Sequence, residues 1–450
     1  MTKVPTNFVD KKICIIGLGY VGLTLAAVMA EAGFIVYGIE KDEEKLSMIN
    51  KARAHFYEPR LNEILEKQLK RGNLLTNNTL PRDIDVSVFI LTVGTPLDDN
   101  GKVRLDMVDD AIEQIYETNY RDKLIIMRST LKLGTTRNIS ERLNPNNLNI
   151  CDIAFCPERT VEGQALRELR HLPQIVGGID SKSSLRASII FQFITSTIVK
   201  VSCPETAEMI KMIDNTHRDI TFGFSNEIAE VCDGVGVNAL EVIQAGKLGY
   251  SRTNLPMPGP VGGPCLSKDP HILSQSVKDF DVDVKIALQA RNTNENMPKN
   301  IISSLNKVFS NYSLNSDLIN ISLLGLAFKG KPATNDLRGS MLYPILEELK
   351  LNYPYAKFYG YDPLVEKQEI EKLGLVYQPT IEEAFSDKTI AIMLTNHYEF
   401  ENLPITKLLL KMNSPSILYD LWSNYDPLEL NLPKGYGYVS FGNLKNSIFP

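Results

Sequence analysis

The sequence predicts an α/β protein in which two Rossmann-like doubly wound domains are joined by a long-helix central domain. Residues 11–40 have the pattern of an apolar strand, a glycine turn, a helix and a second strand, which opens a parallel sheet. From Pro204 a long helical pattern runs without another proline, and from residue 320 strand-like apolar segments resume. The predicted domain boundaries are 1–203, 204–305 and 306–450.

The composition is that of an ordinary globular protein. Of 450 residues, 43% are apolar and 23% are charged. The 48 basic and 54 acidic residues give a net charge of −6, which argues against nucleic acid or an anionic membrane as the main partner. The six cysteines form no CxxC pair, which indicates free thiols in a reducing cytoplasm. No apolar stretch is long enough to span a membrane, and the histidines lack the HxxxH spacing of a metal site.

The first domain is expected to form one parallel sheet. Its strand candidates are KKICII (11–16), FIVYGIE (34–40), VSVFILTV (86–93), KLIIMRST (123–130) and NICDIAFC (149–156). Such near-continuous apolar runs are typical of strands that are buried on both faces. Helical stretches separate several of them, which favours a doubly wound fold.

The central domain is predicted from a single long helix. Pro204 suits a first helical turn, and Gly234 and Gly236 suit its end. This helix is too long to be a crossover of the first sheet. We expect it to form a mainly helical connector and the contact of a homodimer.

The second α/β region echoes the first. Its strand candidates follow the polar stretch 310–320 and are NISLLGLAFKG (320–330), AKFYGYDP (356–363), KTIAIMLTN (388–396) and SILYDLWS (416–423). Gly325 and Gly330 match Gly17 and Gly22, but Ala327 stands where the first turn has Gly19. Because the middle glycine lets a pyrophosphate approach the backbone, we expect the second domain to bind its ligand differently.

The first glycine turn carries the pattern of a dinucleotide site. Gly17, Gly19 and Gly22 form G-x-G-x-x-G between a strand and a helix, and Glu40 ends the next strand. The glycines allow a tight turn, close approach of pyrophosphate and helix–strand packing. A carboxylate at Glu40 accepts from ribose hydroxyls and repels a 2′-phosphate, so NAD is the expected cofactor.

Three polar residues share one face of the long helix. Lys211, Asn215 and Asp219 are each four residues apart, so they project in nearly one direction. They fit a solvated stripe with a Lys–Asp pair. An ammonium and an amide one turn apart also suit a developing oxyanion, and the helix alone does not decide between these readings.

Two further segments hold candidate catalytic groups. Glu158 and Glu162 in CPERTVEG (156–163) follow a strand, where they fit either first-turn carboxylates favoured by a helix dipole or site residues. Cys265 lies in the glycine-rich loop GPVGGPCLSKDP (259–270) with Asp269 beyond it. It fits a small buried thiol or an activated nucleophile beside a cation.

Together these segments make the chain resemble the nucleotide-sugar dehydrogenases, the family of UDP-glucose and UDP-N-acetylmannosamine dehydrogenases. The resemblance rests on GLGYVG, VGTPLD, RSTLKLGTT, CPERTVEG, AEMIKMIDNT, GPVGGPCLSKD and GLAFKGKPATNDLR, in family order over almost the whole length. It implies NAD as cofactor and a UDP-sugar as substrate, bound with the help of a C-terminal UDP-binding domain.

The resemblance also implies roles for individual residues. NAD would be held by Gly17, Gly19, Tyr20, Val21, Gly22, Glu40, Lys45, Thr95, Thr130, Glu162 and Arg338. The substrate would be contacted by Glu158, Arg159, Thr160, Val161, Lys211, Asn215, Arg218, Arg252, Gly262 and Lys329. Catalysis would fall to Cys265, Lys211, Asn215, Asp269, Glu158 and Thr130. The long loop after Lys329 leaves Lys331 as an alternative contact.

The implied reaction is a four-electron oxidation of the sugar's C6 alcohol to a carboxylate. Asp269 and Lys211 would manage the proton and charge of the first oxidation. Cys265 would add to the resulting aldehyde, and Lys211 and Asn215 would stabilise the oxyanion of the thiohemiacetal. Water would hydrolyse the later thioester, with Glu158 or Asp269 as base. Glycines beside Cys265 would let the sugar approach closely.

The sugar itself is indicated less directly. Arg159, Arg218 and PQIVGG (173–178) resemble the N-acetylhexosamine branch. Pro264 departs from the histidine that commonly precedes the cysteine in the mannosamine enzymes, and the Lys268–Asp269 pair resembles the glucose branch. We predict a UDP-N-acetylhexosamine, with mannosamine first and UDP-glucose, UDP-GlcNAc or UDP-GalNAc as alternatives. Two other functions fit the pattern: a single-oxidation β-hydroxyacid-type dehydrogenase, and a non-catalytic module that binds NAD or a nucleotide-sugar.

Overall fold

The structure is a computed structural model that describes residues 3–309 and 319–449. Most of the predicted polar boundary stretch 310–320 therefore lies outside the described residues. Contacts group the chain into two compact units. The first unit takes the chain up to Asn215 together with His271–Asp283, and the second takes Thr216–Pro270 together with the chain from Val284 onward.

The first unit is built on a parallel sheet. Its elements are β1 (Lys12–Ile16), α1 (Tyr20–Ala32), β2 (Ile35–Ile39), α2 (Glu43–Asn50), α3 (Leu61–Lys70), β3 (Leu74–Asn77), β4 (Val88–Leu91), α4 (Asp106–Tyr116), β5 (Leu124–Met127), α5 (Thr135–Leu143), β6 (Asp152–Phe155), α6 (Ala165–His171), β7 (Gln174–Gly178), α7 (Ser181–Gln192) and β8 (Ile198–Lys200). The strand order among the described residues is β3-β2-β1-β4-β5-β6-β7-β8, and only the β6–β7 pair is antiparallel. Strands β2 and β3 are added on one side of β1, and β4 and the later strands are added on its other side. At such a switch point, between β1 and β4, the carboxyl ends of the strands form a ligand crevice.

This sheet is buried on both faces. Ile13 and Ile15 of β1 belong to one apolar cluster, whereas Cys14 and Ile16 belong to another on the opposite face. Successive side chains of a strand alternate between faces, so a continuous apolar run is what this position requires. Helices cover both faces of the sheet, as the sequence predicts for a doubly wound domain.

The helical region follows. It contains α8 (Pro204–Val235), α9 (Ala239–Lys247), α10 (Asp269–Val277) and α11 (Lys285–Phe309). The long helix predicted from Pro204 is confirmed, and it ends where Gly236 takes a φ of 75°. No helix within residues 3–309 and 319–449 combines the length and apolarity that crossing a membrane would need.

The second unit holds the second parallel sheet. Its elements are β9 (Asn320–Leu324), α12 (Leu342–Asn352), β10 (Lys357–Tyr361), α13 (Lys367–Lys372), β11 (Val376–Tyr377), α14 (Ile381–Phe385), β12 (Ile390–Met393), α15 (Ile405–Leu409), β13 (Ser416–Asp420) and β14 (Tyr436–Ser440). The described strands run in the order β11-β10-β9-β12-β13-β14 with every pair parallel. The predicted fold class, with two Rossmann-like sheets and a long central helix, is confirmed.

Candidate active site

The three glycines after β1 have three different structural reasons. Gly17 has a φ of 90°, which only glycine adopts easily. A Cβ at Gly22 would lie 1.9 Å from the Gly17 carbonyl oxygen, so glycine is needed for helix α1 to pack against the turn. At Gly19, no atom of the described residues lies within 4 Å of where a Cβ would stand. The turn is therefore open at the one position where a pyrophosphate must approach the backbone.

Glu40 lies at the carboxyl end of β2, beside this turn. Its Oε2 accepts from the Leu18 N–H at 3.0 Å, and its Oε1 accepts from the Asp42 N–H at 3.1 Å. Glu40, Gly17, Gly19 and Lys45 line a cavity of about 410 Å³. The Lys45 ammonium is held 3.0 Å from Asp42. An open glycine turn and a carboxylate that faces one cavity fit the pyrophosphate and a ribose diol of NAD.

Thr95 and Thr130 are brought together at the carboxyl ends of β4 and β5. The Thr95 hydroxyl donates to the Thr130 carbonyl at 2.7 Å, and both residues are buried. The neighbouring Ser129 hydroxyl donates to the Val93 carbonyl at 2.6 Å. These bonds fix the two loops on the side of the crevice opposite Glu40 in strand order, where the second half of a dinucleotide would extend.

Glu158 forms a buried ion pair that the sequence analysis missed. Its Oε2 accepts from Arg128 Nη2 at 2.6 Å and from Arg128 Nε at 3.2 Å. Its Oε1 accepts from the Arg159 and Thr160 N–H groups at 2.7 and 2.8 Å. Four donors thus occupy the four acceptor positions of the carboxylate. Gln174 Oε1 holds Arg128 from the other side, accepting from Nη1 at 2.9 Å.

The protonation of Glu158 follows from these contacts. Burial on its own raises the pKa of the Glu158 carboxyl, but Arg128, the Thr160 N–H and the Lys211 ammonium outweigh it. The pKa therefore lies below its ordinary value, and Glu158 is an anion at neutral pH. A carboxylate with a low pKa and no open acceptor position is a weak proton acceptor. This environment favours a positioning role for Glu158 over the role of hydrolysis base that the resemblance implies.

Lys211 and Asn215 are buried, each with 8% of its surface exposed. The alternative of a solvated stripe on α8 is therefore wrong. The Asp219 carboxylate binds Arg291 at 2.8 Å. Lys211 contributes positive charge near Glu158.

The loop CPERTVEG is anchored to the start of α1 by another carboxylate that was not predicted. Glu58 Oε2 accepts from the Tyr20 hydroxyl at 2.5 Å and from the Gly163 N–H at 2.9 Å. Burial is the main cause that raises the pKa of the Tyr20 hydroxyl, and the negative charge of Glu58 raises it further. The buried Glu162 also raises this pKa. Within the same loop, the Val161 N–H donates to Glu168 at 2.7 Å. Tyr20 therefore ties the glycine turn to this loop.

A second unpredicted carboxylate supports the segment after Thr130. Glu208 on α8 accepts from the Gly134 N–H at 2.7 Å, from the Thr136 N–H at 2.9 Å and from the Thr136 hydroxyl at 2.6 Å. Burial raises the pKa of this carboxyl in spite of its donors. Glu208 thus caps the start of α5 from the same helix that carries Lys211.

The cysteine loop belongs to the second unit. Cys265 is exposed, whereas Cys14, Cys151, Cys156 and Cys232 are buried, so the alternative of a buried structural thiol is wrong for Cys265. The Asp269 N–H donates to the Cys265 carbonyl at 2.9 Å. Asp269 is fully buried, and its carboxylate accepts from Lys268 Nζ at 3.1 Å. The spacing of four residues therefore places thiol and carboxylate one turn apart at the start of α10.

The glycines beside Cys265 are required by close packing of the cysteine loop. A Cβ at Gly262 would lie 2.2 Å from the Gly339 carbonyl oxygen, and one at Gly263 would lie 2.4 Å from the Phe328 ring. Both glycines therefore let the loop pack against the second domain, and the close approach of a sugar beside Cys265 stays a prediction. Contact between Gly262 and the substrate stays a prediction.

The remaining predicted residues of the second unit have other partners. Arg338 is exposed and pairs with Asp336 at 2.5 Å, and the Arg252 guanidinium lies 4.6 Å from the Tyr250 ring. Arg218 is exposed on α8. The Lys331 ammonium pairs with Glu401, whereas Lys329 lies 5.4 Å over the ring of Phe328. Contact of Lys329 or of Lys331 with the ligand stays a prediction.

The glycine turn of the second sheet is closed by a carboxylate. Asp362 Oδ2 accepts from the Leu326 and Ala327 N–H groups at 2.6 and 3.1 Å. Its Oδ1 accepts from the Leu364 and Val365 N–H groups at 2.8 and 3.0 Å. The first turn has the equivalent bond from the Leu18 N–H to Glu40, so the second turn is set apart by Ala327, which carries a side chain where the first turn has the open Gly19.

We expect Asp362→Ala to destabilise the second unit. The change leaves four backbone N–H groups without their acceptor, which costs roughly 2–4 kcal/mol of unfolding free energy. Chemical denaturation measures the loss. Asp362→Asn is the control, because its carbonyl retains one acceptor and should recover part of the stability. Equal stability of Asp362→Ala and the unmodified protein would contradict the described role.

Comparison with known proteins decides the family. Residues 11–195, 205–296 and 322–427 match the NAD binding, central and UDP binding domains of the UDP-glucose/GDP-mannose dehydrogenase family. The chain belongs to this family. Its predicted cofactor, NAD, and its predicted class, an NAD-dependent UDP-sugar dehydrogenase, are thereby confirmed. No group of three His, Cys, Asp or Glu side chains in the described ranges is placed to hold a metal ion.

Individual relatives in this dehydrogenase family lie on the branch that the sequence analysis favoured. The UDP-N-acetyl-D-mannosamine dehydrogenase of Methanocaldococcus jannaschii is 31% identical over 413 residues, covering 89% of each chain. The enzyme of the same name from Campylobacter jejuni is 30% identical, covering 88% of this chain and 98% of its own. The solved structure of UDP-D-ManNAc dehydrogenase from Pyrococcus horikoshii is 28% identical, with a TM-score of 0.84 and coverage of 96% and 100%.

Replacing Glu40 should weaken NAD binding selectively. We expect Glu40→Gln to lower kcat/KM for NAD+ by roughly 10- to 100-fold, because a charged hydrogen-bond acceptor is lost. The kcat/KM for NADP+ should fall less or rise, since the carboxylate no longer repels the 2′-phosphate. Steady-state kinetics with both cofactors measure the change. Glu44→Gln on the exposed side of α2 is the control, and an unaltered NAD+/NADP+ ratio in Glu40→Gln would refute the assignment.

Proposed function

We propose that this dehydrogenase oxidises the C6 alcohol of UDP-N-acetyl-D-mannosamine to the carboxylate in a four-electron reaction. Support comes from the relatives of that name, which cover most of the chain. The observation that carries the reaction type is the exposed Cys265, one helical turn from buried Asp269. A single alcohol-to-carbonyl oxidation needs no thiol. A second oxidation needs a nucleophile that adds to the aldehyde carbon, which a cysteine thiolate can provide.

The cofactor residues are proposed from the family pattern and the geometry of the first unit. Gly17, Gly19 and Gly22 would hold the pyrophosphate, and Glu40 and Lys45 would lie at the adenosine ribose. When bound, NAD+ accepts the hydride in each of the two oxidations. The remaining proposed cofactor contacts are Tyr20, Val21, Thr95, Thr130, Glu162 and Arg338.

In the first oxidation, the chain must remove a proton from the C6 hydroxyl. We assign this proton to Asp269, with Lys211 balancing the alkoxide charge directly or through water. The resulting aldehyde is reactive and stays bound. The Cys265 thiolate then adds to the aldehyde carbon, which forms a C–S bond and converts the carbonyl oxygen into an oxyanion.

The oxyanion requires fixed donors. We assign these to the Lys211 ammonium and the Asn215 amide, which are held on successive turns of α8. Loss of the second hydride converts the thiohemiacetal into a thioester. Water then adds to the thioester carbon, the C–S bond breaks, and the thiol and the carboxylate product are released.

The base for this hydrolysis is assigned to Asp269. The alternative, Glu158, has a lowered pKa and four donors on its carboxylate. We assign Glu158 to position the loop that carries Arg159, Thr160 and Val161, which are proposed to contact the sugar. Arg218, Arg252, Gly262 and Lys329 remain proposed contacts of the UDP-sugar from the second unit.

We also propose that the enzyme is a homodimer formed through α8. Phe224, Val231 and Val235 share one stripe of the helix and are 49%, 52% and 69% exposed. A contiguous apolar stripe of this kind is costly in water. Light scattering of the purified protein should give twice the chain mass, and Phe224→Glu/Val231→Glu should give the monomer mass. A monomeric unmodified protein would contradict the proposal.

The substrate is tested by comparing four sugars. We expect kcat/KM for UDP-N-acetylmannosamine to exceed that for UDP-N-acetylglucosamine, UDP-N-acetylgalactosamine and UDP-glucose by at least tenfold. Each assay follows NADH absorbance and identifies the acid by mass spectrometry. A higher value for any other sugar would replace the proposed substrate. Cofactor and sugar binding without NADH would instead support a non-catalytic module.

A further inference from the structure

We propose that Arg291 is a positioning residue that holds the Cys265 loop in place for the second oxidation, an inference that rests on the proposed role of Cys265 as nucleophile. Arg291 lies on α11, and 1% of its surface is exposed. Neither the family motifs nor the reaction steps above assign it a role. It contacts the backbone of the cysteine loop on both sides of the thiol.

The guanidinium binds two carbonyl groups that flank the segment 262–265. Arg291 Nη1 donates to the Leu266 carbonyl at 3.2 Å, and Nη2 donates to the Val261 carbonyl at 3.4 Å. Inside the segment, Gly262 and Gly263 pack on Gly339 and Phe328, and the Gly263 N–H donates to the Gly339 carbonyl at 2.7 Å. Arg291 adds bonds at the two ends, on either side of the thiol. One planar side chain fixes both ends.

A buried network keeps Arg291 itself in place. Asp219 Oδ1 accepts from Arg291 Nη1 at 2.8 Å and from Asn294 Nδ2 at 3.0 Å. Asn294 Oδ1 in turn accepts from Asn226 Nδ2 at 2.9 Å, and Asn226 Oδ1 accepts from the Gly259 N–H at 2.8 Å. The network therefore reaches the loop a second time, at its start, and ties it to both α8 and α11.

The shape of arginine matters for this role. Two nitrogen atoms of one rigid fork donate to Val261 and Leu266 while the first of them also binds Asp219. Lysine preserves the positive charge but presents its donors from a single atom. Arg291→Lys should keep the ion pair with Asp219 and lose at least one of the two loop bonds.

Loss of these bonds should affect one chemical step more than the other. The first oxidation does not use the thiol, whereas C–S bond formation requires the sulfur near the aldehyde carbon. Displacing a reacting group by about 1 Å slows such a step by roughly 10²-fold. Arg291→Lys should therefore release aldehyde, and the NADH formed per sugar consumed should fall from two toward one.

Two measurements on the full-length Arg291→Lys protein test this. Hydrogen exchange of the 259–268 segment should be at least fivefold faster than in the unmodified protein. The second oxidation, assayed with the UDP-sugar 6-aldehyde, should slow at least tenfold more than the first. Arg186→Lys is the control, because Arg186 is a partly buried arginine that binds two carboxylates, Asp10 and Asp152, at the amino ends of β1 and β6 and outside the cysteine loop. If Arg291→Lys does not fold, the same measurements are made on Arg291→Met/Asp219→Asn, which removes both buried charges together.

The outcomes separate this inference from the proposed function. Exchange and aldehyde oxidation at unmodified rates in Arg291→Lys would overturn the inference, as would faster exchange with two NADH per sugar at the unmodified rate. If the unmodified enzyme forms only one NADH per sugar, the proposed function fails. Hydrogen exchange still decides in that case whether Arg291 holds the loop, since it requires no substrate.

Discussion

Cys265→Ser is expected to lower the rate of carboxylate formation by roughly 10³-fold, equivalent to about 4 kcal/mol of transition-state stabilisation. Serine has a similar shape but is a far weaker nucleophile at neutral pH, so the aldehyde has no efficient covalent acceptor. The first oxidation should persist in part. A carbonyl trap such as semicarbazide should then capture the aldehyde, and mass spectrometry of the sugar products measures the aldehyde-to-acid ratio.

The control for Cys265→Ser is Cys203→Ser. Cys203 is partly buried, and its sulfur lies 3.3 Å from the Thr206 hydroxyl, so it offers the same chemical change outside the proposed site. Its replacement should leave the aldehyde-to-acid ratio unaltered. A dehydrogenase that performs one oxidation would tolerate Cys265→Ser with near-normal turnover. Acid formation at the unmodified rate in Cys265→Ser would therefore exclude the thioester route.

Arg128→Met should have the largest effect on stability. It removes the partner of Glu158 and leaves a buried carboxylate without its counter-charge, which typically costs about 3–5 kcal/mol. Chemical denaturation at pH 7 measures the loss. The control is Arg137→Met, which breaks a partly exposed ion pair with Glu205 and should change stability little.

The effect of Arg128→Met should depend on pH. In the unmodified protein the lowered pKa of Glu158 means that the ion pair stabilises the fold above the ordinary carboxyl range, and this contribution is lost as the pH falls through the lowered pKa. In the variant, burial is opposed by the Thr160 N–H and the Lys211 ammonium without Arg128, so the pKa of Glu158 lies higher than in the unmodified protein. The Glu158 carboxyl of the folded variant therefore takes up a proton as the pH falls, and the free-energy cost of burying its charge disappears. The difference in unfolding free energy should therefore narrow from pH 7 toward pH 5, whereas a constant difference would contradict the buried ion pair.

Most of the strands that the sequence predicted are largely buried, and β10 is the exception, with one buried position of five. β4 and β5 are buried at every position, and a strand enclosed on both faces leaves a continuous apolar run in the sequence. β8 is a short edge strand whose residues are partly or fully exposed, so it has no such run. β7 ends in two consecutive glycines, which weaken the strand pattern, whereas β14 has one glycine, as do the predicted strands β2 and β10. These elements need their neighbours in the sheet to define them.

The candidate site residues that the sequence revealed are also those with a local pattern. Lys211 and Asn215 were found because helical spacing places them on one face, and Cys265 was found because its loop is rich in glycine. Arg128 and Arg291 were missed because their partners, Glu158 and Asp219, are 30 and 72 residues away. Only the tertiary structure brings such charges together. One local signal was present, since Arg128 directly follows the apolar run LIIM, where a charge must be paired.

In the proposed reaction, one enzyme carries a sugar through two oxidations. The most direct test is to incubate the protein with excess NAD+ and a limiting amount of UDP-N-acetylmannosamine, and then to count the NADH formed per sugar consumed. We predict two NADH and the carboxylate as the only product at completion. One NADH per sugar, with an aldehyde or ketone as the product, would contradict the four-electron reaction and remove the need for Cys265.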